Sequence, residues 1–176
     1  MKETVCHHLY SDCSITFALY KDVTNAKELR QSVMNGEFEA TLLKTSMVAD
    51  PFQVLVAANR AVHLHKIEKM TTKNVHSEIL FCLSSTKNIS DSFRKFGLGD
   101  GDTTVFVVVL NDKDDATMNL IQSKIQGTQI PLTDVKQFTD EKLVKKLYKV
   151  TDTELSSCSL TDALVSKIAS KEFVTI

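Results

Sequence analysis

Breakers are scarce in this chain: 176 residues carry five glycines, two prolines and no tryptophan. No linker, repeat or low-complexity tract interrupts it, so the chain reads as one domain. Four cysteines, at 6, 13, 82 and 158, form neither a C-x-x-C pair nor a zinc spacing. With no secretory leader after Met1-Lys2-Glu3, a reduced intracellular compartment is expected. Long apolar runs are missing too. The longest, Val105 to Leu110, is six residues, well short of the roughly 20 that cross a bilayer, and no membrane partner is expected. Charge of one sign is not in excess, with 21 Lys and Arg against 22 Asp and Glu. The global balance therefore does not point to nucleic acid or an acidic surface, and only local asymmetry can. What is present is 43% hydrophobic residues, enough for one domain that buries roughly 70% of the surface its unfolded chain exposes.

The strongest local signal begins at Asp50-Pro51. The aspartate can accept from orphan amides, and proline suits a first helical turn that needs no donor. The pattern predicts a central helix of about twenty residues, to Met70. Its first half, Phe52 to Ala58, is apolar nearly all round, as in a buried helix. Further on, Asn59, His63 and Lys66 share a stripe at i, i+4 and i+7, flanked by Arg60 and Lys69. From Arg60 to His76 there are four Lys or Arg against one Glu, with three of the five histidines.

Elsewhere, Val5–Leu9 and Ser14–Tyr20 carry β-forming residues and predict a hairpin through Ser11-Asp12. Asn25 and Glu28 resemble a capping box for a helix that ends at Asn35-Gly36, and a second short helix is expected over Glu37–Lys44. Glu78–Leu83 reads as a strand, with a buried helix as the alternative for so short an apolar run. Asn88, although it opens a glycosylation sequon, fits a helix cap better; Ile89, Phe93 and Phe96 share a face, and Gly97 is expected to end that helix in a left-handed conformation. Gly97 to Asp102 is glycine-rich but precedes a strand, Thr103–Leu110, the reverse of the order that cradles phosphates. That strand is apolar enough to be covered on both faces. Asp112, Asp114 and Asp115 form an acidic turn, a helix runs over Ala116–Gln126 as far as Gly127, and Pro131 marks a loop. In Asp140–Val150, Lys142, Lys145, Lys146 and Lys149 line one side, either a solvated face or a phosphate contact. The last helix, Ser159–Ser170, repeats Leu160, Leu164 and Ile168 at i+4 steps, and the apolar Phe173, Val174 and Ile176 that follow need somewhere to dock. The fold class is α/β (α+β): one domain, 1–176, with a small mainly antiparallel or mixed sheet packed by several helices around a long central one.

Enzyme chemistry needs a nucleophile with its base, paired carboxylates or a metal cluster. His63 and His65, two apart on a helix, diverge; His7 and His8 would face opposite sides of a strand. Glu78 suits a strand-edge or capping role, and Cys82, among Ile79, Leu80, Phe81 and Leu83, is a small buried hydrophobe. The residues point to a binding domain without catalysis, metal or cofactor.

The run Asp50-Pro51-Phe52-Gln53-Val54-Leu55-Val56-Ala57-Ala58-Asn59-Arg60-Ala61-Val62-His63-Leu64, with Ser77-Glu78-Ile79-Leu80-Phe81, Asn88-Ile89-Ser90 and Lys95-Phe96-Gly97, closely resembles the kinase-binding (PRPK-binding) subunits of the KEOPS (EKC) complex. The similarity continues in Leu19-Tyr20-Lys21-Asp22-Val23-Thr24-Asn25-Ala26 and in the lysine-rich helix, so it spans essentially the whole chain. It implies a non-catalytic adaptor of an atypical PRPK-type kinase/ATPase, joined through that kinase to the other subunits, located in cytoplasm and nucleus. The complex makes threonylcarbamoyladenosine in tRNA, and another subunit performs the transfer. The resemblance also implies a grip on the single-stranded 3′ CCA end of tRNA; the alternative is a purely protein-protein regulator without RNA contact. Arg60, His63, Lys66 and Lys73 are the expected tRNA residues, with Asn88 and Lys95 more distant. Leu160, Leu164 and Ile168 either meet the kinase or seal this domain's own core.

Overall fold

The structure, a computed structural model, describes residues 2–7 and 9–173. Glu3–Cys6 (β1) and Ser14–Lys21 (β2) pair antiparallel, with Glu3 opposite Phe17 and Cys6 opposite Ser14. The expected hairpin is present, although its first strand ends before His7 and Leu9. Ala26–Met34 (α1) follows. Asn25 does not form the expected capping box: its side-chain amide donates to the Lys124 carbonyl at 2.8 Å and its oxygen accepts from Gln126 N at 3.0 Å. It ties α1 to a distant segment instead of closing its own first turn.

Thr41–Lys44 (β3) stands where a second helix was expected. Four residues carry too little local preference to decide their own state, and pairing decides it: Thr41 lies opposite Val108 and Lys44 opposite Val105. A short 3-10 turn, Thr45–Met47, leads to Pro51–Lys66 (α2). Asp50 accepts from Phe52 N at 2.9 Å, as its sequence position predicts. The helix stops at Lys66 rather than Met70, and Glu68 takes a left-handed φ of 57° just beyond it.

Residues 78–83 lie in a helix, the second of the two readings. Val75–Leu83 (α3) starts at Asn74, whose side chain accepts from Ser77 N at 2.8 Å. Ile89–Phe96 (α4) is capped by Asn88, which accepts from Asp91 N at 3.0 Å. Gly97 is extended, φ −72°, not left-handed. Glycine fits there for another reason: an added Cβ would meet the Phe93 carbonyl oxygen at 2.6 Å.

Val105–Leu110 (β4), Ala116–Lys124 (α5), Thr128–Ile130 (β5), Glu141–Tyr148 (α6), Asp152–Leu155 (α7) and Leu160–Ser170 (α8) complete the order. The five strands run β1-β2-β4-β3, and β5 pairs the same edge of β2 that β1 occupies, further along, at Leu19 to Lys21. All pairs are antiparallel.

Because successive side chains of a strand point to opposite faces, β2 and β4 serve two cores. Phe17, Leu19, Phe106 and Val108 pack with α2, α3, α6 and α8 on one face. Ala18, Tyr20, Val105, Val107 and Val109 pack with α1 and α5 on the other. A sheet between two helical layers explains why β4 is apolar without alternation, as expected. Within the larger core Gln53 is fully buried, donating to Met47 O at 3.3 Å and Tyr148 Oη at 3.1 Å and accepting from Ala49 N at 2.9 Å. The hydroxyl of Tyr148 donates in turn to the Leu83 carbonyl. Leu164 and Ile168 lie in the same core. Phe173 is 86% exposed; Val174 and Ile176 lie outside the described residues.

Candidate functional site

The basic end of α2 is the first place to look, and the fold occupies most of it. The loop between β1 and β2 lies against the outer face of the helix. His7 Nε2 bonds the Asn59 carbonyl at 3.0 Å while its Nδ1 accepts from Leu9 N and Tyr10 N. The Tyr10 hydroxyl bonds His63 Nδ1 at 2.8 Å, and Lys66 reaches Asp12 at 2.7 Å with its ammonium 5.6 Å from the Tyr10 ring centre. The Lys66 ammonium holds the Asp12 carboxyl below the ordinary carboxylate range. His8, the other histidine of this loop, lies outside the described residues.

Arg60 turns the other way. It donates to the Ile168 and Ala169 carbonyls, both at 3.0 Å, and pairs with Glu172 at 2.6 Å, leaving its side chain 17% exposed. A cation on the last carbonyls of α8 satisfies orphan acceptors and the negative end of the helix dipole. Lys171 is buried beside it, donating to the Phe81 carbonyl with its ammonium 3.4 Å from the Phe81 ring centre. Burial pushes that ammonium down to about 8.

The remaining candidates sit elsewhere. Lys73 is exposed, just before the cap of α3. Asn88 caps α4, and Lys95 pairs with Asp91 at 2.6 Å. The structure therefore does not bring the six expected RNA residues into one patch: Arg60, His63 and Lys66 are on α2, while Lys73, Asn88 and Lys95 are at the ends of α3 and α4. Of the expected kinase residues, Leu164 and Ile168 are sealed and Leu160 is half-buried. Glu78 is buried and accepts from Thr71 N, Thr72 N and Thr72 Oγ1, a loop anchor that fits a capping role. Cys82 is buried, and its thiol is pushed up to about 12 by that burial. Among the described residues no group of three His, Cys, Asp or Glu side chains could hold a metal ion. No helix among them is long and apolar enough to cross a membrane.

A groove of about 780 Å³ opens between the end of α1, the approach to β3, and the facing parts of α3 and α4. Gly36, with φ +73°, turns the chain out of α1. The extended Gly97 brings the end of α4 onto β3, where Leu98 N donates to Leu42 O at 3.0 Å. The walls are Val33, Met34, Phe38, Leu80, Phe93 and Leu98; the polar lining is Arg30, Glu39, Thr41, Asn74, His76, Ser77 and Arg94. Met34 is 76% exposed at the rim. Arg30 pairs with Asp100 at 3.1 Å and Arg94 with Asp91 at 2.6 Å, both in solvent-facing pairs. Lys95 and Arg94 together hold the Asp91 carboxyl below its ordinary range. A smaller concavity beside it is lined by Thr86, Asn88, Ser90, Asp91 and Arg94. Thus Lys73 precedes groove-lining Asn74, Lys95 follows groove-lining Arg94, and Asn88 sits in the adjoining dip. Sequence reasoning named neither Arg30, Arg94 nor the buried His76, which come from four separated segments; the cap at Asn74 was the one local signal that could have led there.

Apolar walls, mobile guanidinium groups at the mouth and a few fixed polar atoms make a ligand-holding surface, and this is the class of protein the geometry defines: a binding domain. The sequence comparisons are specific about which one. The family model described as kinase binding protein CGI-121 matches residues 20–172. The EKC/KEOPS complex subunit TPRKB of Danio rerio is 47% identical over 166 residues, covering 93% of this chain and 94% of that protein. The EKC/KEOPS complex subunit cgi121 of Aspergillus fumigatus is 38% identical over 151 residues, covering 81% and 80%. The corresponding subunit of Yarrowia lipolytica is 34% identical over 146 residues, covering 81% and 83%. This chain belongs to the CGI-121 family of kinase binding proteins.

Proposed function

We propose that this chain is the non-catalytic, kinase-binding subunit of an EKC/KEOPS complex and that it holds the single-stranded 3′ end of tRNA in the groove between α1, β3, α3 and α4. Membership of a family whose relatives are named subunits of that complex supports the first part. The observation that carries the second is the groove itself. Single-stranded RNA is recognised by apolar and aromatic surfaces that accept unstacked bases, beside cations that neutralise the backbone. Phe93 and Leu80 supply the first; Arg30 and Arg94, in exposed pairs that exchange partners at little cost, supply the second. Lys73, Asn88 and Lys95 border the same surface. Held by its end, the tRNA would present its modified adenosine to the subunit that performs threonylcarbamoyl transfer.

Kinase attachment through Leu164 and Ile168 would require α8 to leave the core, since both are sealed there. Leu160 and the outward-facing positions of α8 can meet a kinase without that loss.

The test is binding of the full chain, alone and with its kinase, to intact tRNA and to the same tRNA trimmed of its single-stranded 3′ end, at one stated salt concentration. Trimming is expected to lower affinity about tenfold or more, and charge reversal at Lys73 and Arg94 to do the same to intact tRNA. The salt dependence should flatten by about 0.7 in log-log slope for each phosphate contact removed. Equal binding of intact and trimmed tRNA would remove the RNA role and leave kinase attachment as the function.

A further inference from the structure

His76 is 9% exposed, lines the groove, and has an unusual constraint on its protons. The Thr41 hydroxyl donates to the His76 carbonyl at 3.0 Å, and the same oxygen lies 3.2 Å from His76 Nδ1. A hydroxyl has one hydrogen, and here the carbonyl takes it, so towards the ring Thr41 can only accept. Nδ1 therefore carries the imidazole proton and Nε2 is left with its lone pair. Nε2 has no hydrogen-bond partner among the described residues. Burial pushes the imidazolium down to about 4, so the neutral ring persists across the physiological range.

We propose that His76 is a specificity-determining residue of the groove: its Nε2 is a fixed acceptor that selects a base presenting an exocyclic amine, cytosine or adenine, over one presenting a carbonyl at that position, uracil or hypoxanthine. The inference rests on the reading of the groove as an RNA site and adds what that site discriminates. A carbonyl brought against Nε2 would leave two acceptors facing each other in an apolar enclosure, and an unmet buried polar group is costly. Cytosine and adenine each offer such an amine, so an end built from those two bases is what this acceptor favours. Thr41 acts through His76 as a positioning residue. Without its oxygen the ring is free to adopt the other tautomer and present Nε2–H.

The test uses four short single-stranded oligoribonucleotides that differ only at the 3′ end: CCA, UCA, CUA and CCI, where I is inosine. Each is titrated against the full chain, Thr41→Val, His76→Phe and Arg94→Glu. In the unmodified protein one amine-to-carbonyl exchange is expected to cost about tenfold. That preference should be unchanged between pH 8 and 5, and should vanish or invert in Thr41→Val, a near-isosteric change that keeps the measurement available if His76→Phe does not fold. Equal binding of all four to the unmodified protein, with Arg94→Glu still weakening them, would overturn the role of His76 and leave the RNA site standing. Absence of binding to all four, with no effect of Arg94→Glu, would overturn both.

Discussion

Arg60 and Arg94 carry the same group in opposite circumstances. Arg60 spends its guanidinium on two helix-end carbonyls and a carboxylate and is 17% exposed. Arg94 touches one carboxylate three residues away and is 78% exposed. The contrast extends to their surroundings. Along α2, His63 and Lys66 are engaged by Tyr10 and Asp12 of the hairpin loop, so the basic stripe is largely consumed in holding the fold. Around the groove the cations sit in loose surface pairs beside apolar walls that no other part of the chain fills. A surface pair is worth little and reforms easily with a phosphate, whereas a buried cation with satisfied partners is expensive to withdraw. What separates a binding cation from a structural one is therefore its partners, not its place in a run of basic residues.

The largest way to break this contrast is at Arg60. Replacement by Met removes the donor to the Ile168 and Ala169 carbonyls and leaves Glu172 without its cation, and should cost about 3 to 5 kcal/mol of stability. Urea denaturation measures it. Affinity for single-stranded RNA, taken per folded molecule, should be unchanged; a variant of normal stability that had lost RNA binding would move Arg60 into the site and dissolve the distinction.

Much of the architecture was legible and much of the site was not, for physical reasons that specific residues make plain. The start of α2 was readable because Asp50-Pro51 encodes it within three residues, and β4 because six apolar residues in a row are hard to place outside a core. β3 was read as helix because Thr41–Lys44 is short and becomes a strand only through pairing with β4. β5, three residues on the edge of β2, has no periodicity to detect. The stripe Asn59, His63 and Lys66 was correctly placed on one face, yet its partners are Tyr10 and Asp12, more than fifty positions away in the chain. The partners of Arg60 are farther still, at Ile168, Ala169 and Glu172. The groove draws on four segments, none of which announces a concavity alone.

The floor of the groove offers the next test. His76 in the folded chain protonates near 4, against an ordinary value of 6.5. Between those values the unfolded chain binds more protons than the folded one, so stability is full above about pH 6.5 and falls as pH drops towards 4. The loss from this residue amounts to about 3 kcal/mol at most. Denaturant midpoints from pH 7 to 4 should fall more steeply for the unmodified chain than for His76→Gln, which has no such proton to gain. Parallel curves would mean that the imidazole is wetter than its burial implies. The fixed floor and the loose rim would then no longer differ in kind.

Lys66→Gln is the finest test, because Lys66 lies between the two extremes. Its ammonium pairs with Asp12 and approaches the Tyr10 ring, which is structural work, yet the Asp12 carboxylate is 68% exposed, which makes the pair easy to exchange. Burial ranks it nearer to Arg94; engagement by the hairpin loop ranks it nearer to Arg60. If partners decide, the substitution lowers the melting midpoint by no more than about two degrees, and most of that small effect disappears at high salt, as for an exposed ion pair. Affinity for tRNA should shift less than for Arg94→Glu, since Tyr10 and Asp12 already crowd the position a phosphate would take. A tRNA affinity loss equal to that of Arg94→Glu, with the same flattening of the salt dependence, would mean that the hairpin loop yields to RNA and that the basic end of α2 belongs to the same binding surface as the groove.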